Sequence, residues 1–507
     1  MRKWLPLTAI CLGTFMLLID VTIVNVALPS MAGSLHTSFG SLQWVIDAYA
    51  LALAALLLGI GSVADLVGHR RSYLIGLLVF AGSSLVCGLA PNAGVLVAAR
   101  AVQGVGGAAM FATTAALLNS SYQGRDRGTA FGFWGAVSGA AAAIGPILGG
   151  VLVQGISWRW IFFVNIPVCA VAIVMTLRNI SSDHERPDTK VDLPGTVTFT
   201  AAAGCLTYAL IYASEHSWSS GAVYVLLVLA VISAVAFVVI ETRSDHAMLD
   251  LGLFRSKSFV GLIAAALLFN FAAFSALTYS SIWLQTVIGL SPIKAGLSSL
   301  PLAGVAFVTA ATAGRVLHGK PGPVIGTGIT LIGVGGLLVN LLVHHGSSWP
   351  ALVPGYALIG IGVGMAIPVL TAATMASVPV QRGGMAAGAI NTARQLGYGI
   401  GIAVLGTVFA SRAAHSLPGA PASVAHDLAG GQAPRLLAQA GPNRAALDAA
   451  LHRASISGID GAWLVAGISG VLAGLLVWAL VRPQPNAPAP EWSAARTEPA
   501  PAAAAAE

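Results

Sequence analysis

The sequence predicts an all-helical integral membrane protein of about fourteen transmembrane helices. Three observations carry that expectation. Of its 507 residues, 56% are hydrophobic and only 8% charged. A soluble domain carries about 25% charged residues, so this chain cannot cover itself with polar surface and its expected surrounding is the lipid bilayer. The apolar residues fall in runs of about 18 to 25, the length a helix needs to cross the hydrocarbon core. Lys and Arg collect on every second loop between those runs, as they do on cytoplasmic loops. The net charge of +7 is spread over these loops rather than gathered on one segment, which speaks against a nucleic-acid partner.

Taken in order, six runs fall near 5–28, 43–63, 72–90, 94–118, 129–153 and 160–177. They make a first bundle over residues 1–180. Arg2 and Lys3 ahead of an apolar run resemble a signal peptide, but Asp20 inside the run argues for a retained first span. Two more runs, 192–213 and 221–241, form an insert within 181–258. Six further runs, near 259–283, 294–315, 323–343, 350–375, 386–410 and 461–481, make a second bundle over 259–482. Between the last two lies a long outer loop, 412–460. The tail 483–507, rich in Pro and Ala, is expected to be disordered and cytoplasmic. An even number of spans leaves both termini cytoplasmic. The segment Arg315–Lys320 occupies the place in the second bundle that Asp65–Arg71 occupies in the first. Two parallel halves with a site between them are a transporter plan.

Asp20 is the residue the first span has to explain. A carboxylate at bilayer depth costs several kcal/mol unless it faces a partner or a water-filled cavity. It lies about eight residues, or ~12 Å, from the outer end of its span, and Arg100 lies ~9 Å deep in the fourth, antiparallel span. An Asp20–Arg100 pair is therefore allowed. Two readings stay open: a proton-exchanging acid whose affinity Arg100 sets, and a static ion pair joining two helices. Gln103 is one turn from Arg100.

The loop after the second span reads Gly61-Ser-Val-Ala-Asp65-Leu-Val-Gly68-His69-Arg70-Arg71. Its glycines permit a tight turn. Asp65, Arg70 and Arg71 can latch the end of a neighbouring helix in one conformation and release it in another. In the fifth span, Gly145-Pro146-Ile-Leu-Gly149-Gly150 offers G-x-x-x-G spacing for close helix contact, and Pro146 favours a bend.

These stretches resemble the signature motifs of the major facilitator superfamily, and more narrowly its fourteen-span drug:proton antiporter family. The loop is similar to G-x-L-a-D-r-x-G-r-[RK], with Leu66 where Arg is usual and His69 where Arg is common. Gly145-Pro146-x-x-Gly149-Gly150 looks like the motif associated with antiporters. The family's L-D-x-T-x-V-N-V-A-L-P pattern matches at Asp20, Thr22, Val24, Asn25, Val26, Ala27, Leu28 and Pro29, with Ile19 in place of Leu. Trp158-Arg-Trp160-Ile-Phe-Phe-Val-Asn165-Ile-Pro167 resembles the start of its sixth span. The resemblance implies a major facilitator fold, two six-helix bundles plus two extra spans. It also implies a proton-coupled antiporter exporting lipophilic drugs or antibiotics, cations among them, by alternating access; the chain is expected to act as a monomer. The alternative on the same fold is a facilitator or importer of a small metabolite.

Candidate substrate contacts are Asp47, Asn25, Gln103 and the aromatic residues Tyr49, Trp134, Phe274 and Trp283, which suit flat apolar cargo. Asp47 reads equally as an acid at a helix N-terminus, and any single aromatic equally as a belt residue. Asp192 and Glu241, at inner span ends, read as boundary residues, and Arg394 in the thirteenth span reads mainly as a packing residue. No enzyme is expected. The histidines fall in loops or at span ends, no H-E-x-x-H or nucleotide-binding G-x-x-x-x-G-K-[ST] occurs, and the four cysteines lie in apolar runs without metal-type spacing. Neither cofactor nor metal is expected.

Overall fold

A chain whose backbone must satisfy its own hydrogen bonds in lipid has few choices, and helices are the choice taken here. The computed structural model describes residues 2–35, 37, 39–181, 192–215, 218–244, 247–316, 321–344, 346–378, 382–440 and 444–481. The expected tail 483–507 lies outside them. The first bundle contains α1 (Leu5–Leu35), α2 (Phe39–Val67), α3 (His69–Leu89), α4 (Ala93–Ser121), α5 (Gly124–Gly155), α6 (Trp160–Phe163) and α7 (Asn165–Asn179). The insert is α8 (Leu193–Glu215) and α9 (Gly221–Glu241). The second bundle holds α10 (Lys257–Ala273), α11 (Ser275–Ile282), α12 (Pro292–Leu297), α13 (Leu300–Val316), α14 (Pro321–Leu342), α15 (Val353–Ala376) and α16 (Gly383–His415). It closes with α17 (Ala422–Ala429), α18 (Ala433–Gln439) and α19 (Arg444–Leu480).

Among the described residues, 13 helical segments are long and apolar enough to cross a membrane. The expected fifth span coincides with α5, which at 32 residues is also of spanning length. Starts and breaks have local causes. Asn92 caps α4, its Oδ1 accepting the Val95 N–H at 2.9 Å. Ser256 does the same for α10 through Phe259. The sixth span breaks at Val164 into α6 and α7. The ninth breaks at Phe274, between α10 and α11, and ends in a π-helical turn, Trp283–Val287.

Where a long loop is expected over 412–460, the chain is largely helical. The thirteenth-span helix runs on to His415, α17 and α18 fold against α19, and the last helix starts at Arg444 rather than near 461. The charges along Arg444–Asp460 hide a helix that simply continues out of the membrane.

Within the first bundle α1 packs on α5 and α7, and α4 on α2 and α3. Within the second, α14 packs on α15 and α19, and α10 on α16. The halves meet along α5–α13 and α2–α16. The insert lies outside both, with α8 against α2 and α16 and α9 against α8. Much of α9 is bare valine, leucine and isoleucine, including Val225, Val228, Val231 and Ile232. Such a face belongs in lipid.

Candidate functional site

The predicted pair forms. Arg100 Nη1 of α4 donates to Asp20 Oδ2 of α1 at 2.5 Å, with the two side chains 1% and 0% exposed. Sequence reasoning missed how many other groups converge on that carboxylate. Gln103 Nε2 and Asn165 Nδ2 each donate to Asp20 Oδ1 at 3.1 Å. Both also donate to Ser84 Oγ of α3, at 3.3 and 2.9 Å. Ser84 in turn donates to the Phe162 carbonyl at 2.9 Å, which ties the cluster to α6. On the cation's side, Arg100 Nε donates to the Val45 carbonyl of α2 at 2.9 Å, and Nη1 also reaches Gln103 Oε1 at 2.9 Å. The guanidinium lies 4.2 Å from the Tyr49 ring centroid, a cation–π contact.

Helices α1, α2, α3, α4, α6 and α7 therefore all join one hydrogen-bonded cluster around the charge pair inside the first bundle. Three side chains donate to the carboxylate, two neutral and one cationic. The carboxylate faces a partner rather than a cavity, and in this conformation it is closed to water and to lipid alike.

Several residues expected to touch substrate have other employment. Gln103 is fully buried in the Asp20 network, and Tyr49, 2% exposed, lies beneath Arg100. Trp134, 2% exposed, donates its Nε1 to Thr14 Oγ1 at 3.0 Å and meets Phe131 edge-on. Trp283 is 1% exposed at the start of the π-helical turn. Phe274 is partly buried at the α10–α11 break, its ring T-stacked on Phe269. Asp47, 7% exposed, is drawn into α2 rather than presented to headgroups. The side chain of Asn25 lies outside the described residues. Arg394 sits 5.9 Å from the Phe111 ring centroid of α4, and beside it Asn391 Nδ2 donates to the Phe111 carbonyl at 3.3 Å. These contacts join α16 to the same helix that carries Arg100.

The latch residues divide. Asp65 receives the N–H groups of Gly384 and Met385, the second and third residues of α16, both at 2.7 Å, and also bonds His69 Nε2 at 2.9 Å. It is a helix cap supplied across the boundary between the halves. Gly61 allows that approach, because a Cβ there would strike the Gly384 carbonyl. Gly68 takes φ +100°, a turn that suits glycine. Arg70 Nη2 donates to the Leu177 carbonyl at 2.8 Å, so it holds the end of α7 in its own bundle. Arg71 is exposed.

In the fifth helix, Gly145 lies against Thr22 of α1 and Gly150 against Ile293 of α12, in the other half. Gly149 is buried, and the side chain of Pro146 is outside the described residues. A Cβ on Gly135 would lie 3.5 Å from Pro368 and one on Gly139 would lie 3.7 Å from Ala306, so the small-residue face of α5 lines the seam between halves.

A family model described as Major Facilitator Superfamily matches residues 10–402. The multidrug resistance protein Stp of Mycobacterium tuberculosis is 37% identical over 410 residues, covering 80% of this chain and 76% of that one. The tetracenomycin C resistance and export protein of Streptomyces glaucescens is 31% identical over 510 residues, 97% of this chain and 94% of that one. Among solved structures, the human organic anion transporter MFSD10 superposes with a TM-score of 0.61 at 14% identity, covering 94% of this chain and 99% of that one. That last likeness is one of fold.

Proposed function

The chain belongs to the Major Facilitator Superfamily, and from that premise we propose that it exports lipophilic drugs or antibiotics, cations among them, in exchange for protons. It does so as a monomer in the cytoplasmic membrane with both termini inside. Resistance and export proteins among its relatives support the cargo class. One observation carries the proton half: Asp20 is wholly buried in a spanning helix with Arg100, Gln103 and Asn165 donating to it. A group poised between desolvation and three donors takes or loses a proton when a helix moves. The two halves, joined at one end by Asp65 on α16 and at the other by Gly150 on Ile293, provide that movement by rocking about the seam.

The test is drug uptake into inside-out vesicles energised by an acid interior. Wild-type protein accumulates drug, and an uncoupler abolishes the accumulation. Asp20→Asn, confirmed as folded, loses at least ~tenfold of the rate, a barrier change of about 1.4 kcal/mol. Undiminished gradient-driven uptake by Asp20→Asn would remove Asp20 from the coupling role. Uptake in the opposite sense would point to an importer.

A further inference from the structure

We propose that Asp192 and Glu241 form a second proton-binding site, at the inner end of the insert, whose proton fastens a short strap to α2 and α16. This goes beyond the transport reading, and its test reads no transport.

Both carboxylates are withdrawn from water, Asp192 at 9% and Glu241 at 4% exposure. They are not the headgroup-facing boundary residues that their positions suggest. One oxygen of each is accounted for. Asp192 Oδ1 accepts the Gly195 N–H at 2.8 Å as the cap of α8, and Glu241 Oε2 accepts the Leu249 N–H at 3.3 Å. The other oxygens, Asp192 Oδ2 and Glu241 Oε1, are buried without any hydrogen-bond partner. They converge on one spot: a Cβ on Gly195 would lie 2.5 Å from the first and 2.8 Å from the second. Two ionised carboxylates so close repel, and neither has a cationic partner among the described residues. A single proton held by the pair removes one of the two like charges.

The proton has something to hold. Residues Met248–Asp250 run from the pair to the boundary between the halves. Leu249 is tied to Glu241. The Met248 carbonyl accepts Ser62 Oγ of α2 at 3.2 Å, and its sulfur lies 3.4 Å from Thr196 Oγ1 of α8. Asp250 pairs with Arg382, the residue before α16, at 2.6 Å. The strap thus reaches the same helix start that Asp65 caps. Among the described residues, charged groups on neighbouring segments have partners or solvent of their own. Asp65 is bonded to His69 and α16, Asp250 to Arg382, and Arg243, Arg255 and Lys257 are exposed. Loss of the shared proton places two like charges in contact, drives Glu241 away and frees the strap. An alkaline cytoplasmic face therefore loosens this fastening and an acidic one keeps it.

The experiment is hydrogen exchange of the Met248 and Leu249 amides in the purified full chain, corrected for the chemical exchange rate at each pH. In the wild type, protection falls about tenfold from mildly acid to mildly alkaline buffer, the behaviour of a local opening linked to a proton. Glu241→Gln and Asp192→Asn each supply a neutral partner, so both stay protected and flat across the range. Glu241→Ala is unprotected throughout. His69 lies on the same face, so the Gln and Asn variants decide the matter. A flat wild-type profile overturns the proposal. So does a wild-type pH profile retained in either variant, or protection that follows sodium or potassium concentration at fixed pH.

Discussion

At the scale of single residues, Asp20 and Arg100 are worth comparing by what their loss leaves behind. Removing Arg100 strands a buried carboxylate, and stranding one member of such a pair costs about 3–5 kcal/mol. Arg100→Ala should therefore lower the melting temperature in detergent sharply. The double variant Asp20→Asn/Arg100→Ala should recover part of that loss, because no charge is then left unpaired. Arg100→Lys keeps the charge but loses the Nε bond to Val45 and the flat contact with Tyr49, so it should rescue stability only in part. The pair itself was legible in the sequence, because two charges at matching depth in apolar runs have few reasons to be there. The neutral members were not. Ser83 and Ser84 are adjacent hydroxyls in one apolar run, yet Ser83 bonds the Val79 and Phe80 carbonyls of its own helix while Ser84 reaches Phe162 and receives Gln103 and Asn165. A helix satisfies its serines locally by default, so only the fold separates the two. Asn165 carried a fainter signal, a polar residue directly after an apolar run and two before Pro167.

At the scale of elements, the inner latch is a capping contact between halves. Asp65 satisfies two N–H groups of α16. A lost cap costs about 1 kcal/mol, so Asp65→Ala should raise exchange of the Gly384 and Met385 amides about fivefold. Unchanged protection there would show the cap to be incidental. The fifth helix makes a steric prediction. Thr22 fills the space that a side chain on Gly145 would need, so Gly145→Val should destabilise the first bundle by about 1–3 kcal/mol, read as a lower melting temperature. The glycine faces were plain in the sequence, since spacing alone declares them. Their partners were not, because nothing local says that Gly145 turns to α1 while Gly150 turns to the other half. The outer segment 412–460 misled for a related reason. Gly and Pro near 418–421 and 430–434 mark real breaks, but the charges between and after them sit on helices rather than in a loop.

At the scale of the whole molecule, the Asp20 cluster belongs to the first half alone, and the seam between halves runs along α5–α13 and α2–α16. Helix α4 links the two, with Arg100 and Gln103 on the carboxylate and Phe111 under Arg394 and Asn391 of α16. In the proposed mechanism, rocking of the second half against α4 would therefore reach the donors on Asp20. The most direct measurement is proton release when drug binds to the purified protein in weakly buffered detergent, followed with a pH-sensitive dye. If Asp20 carries the exchanged proton, wild-type protein releases protons in proportion to drug bound, and Asp20→Asn binds drug and releases none. Equal release by the two proteins would contradict it.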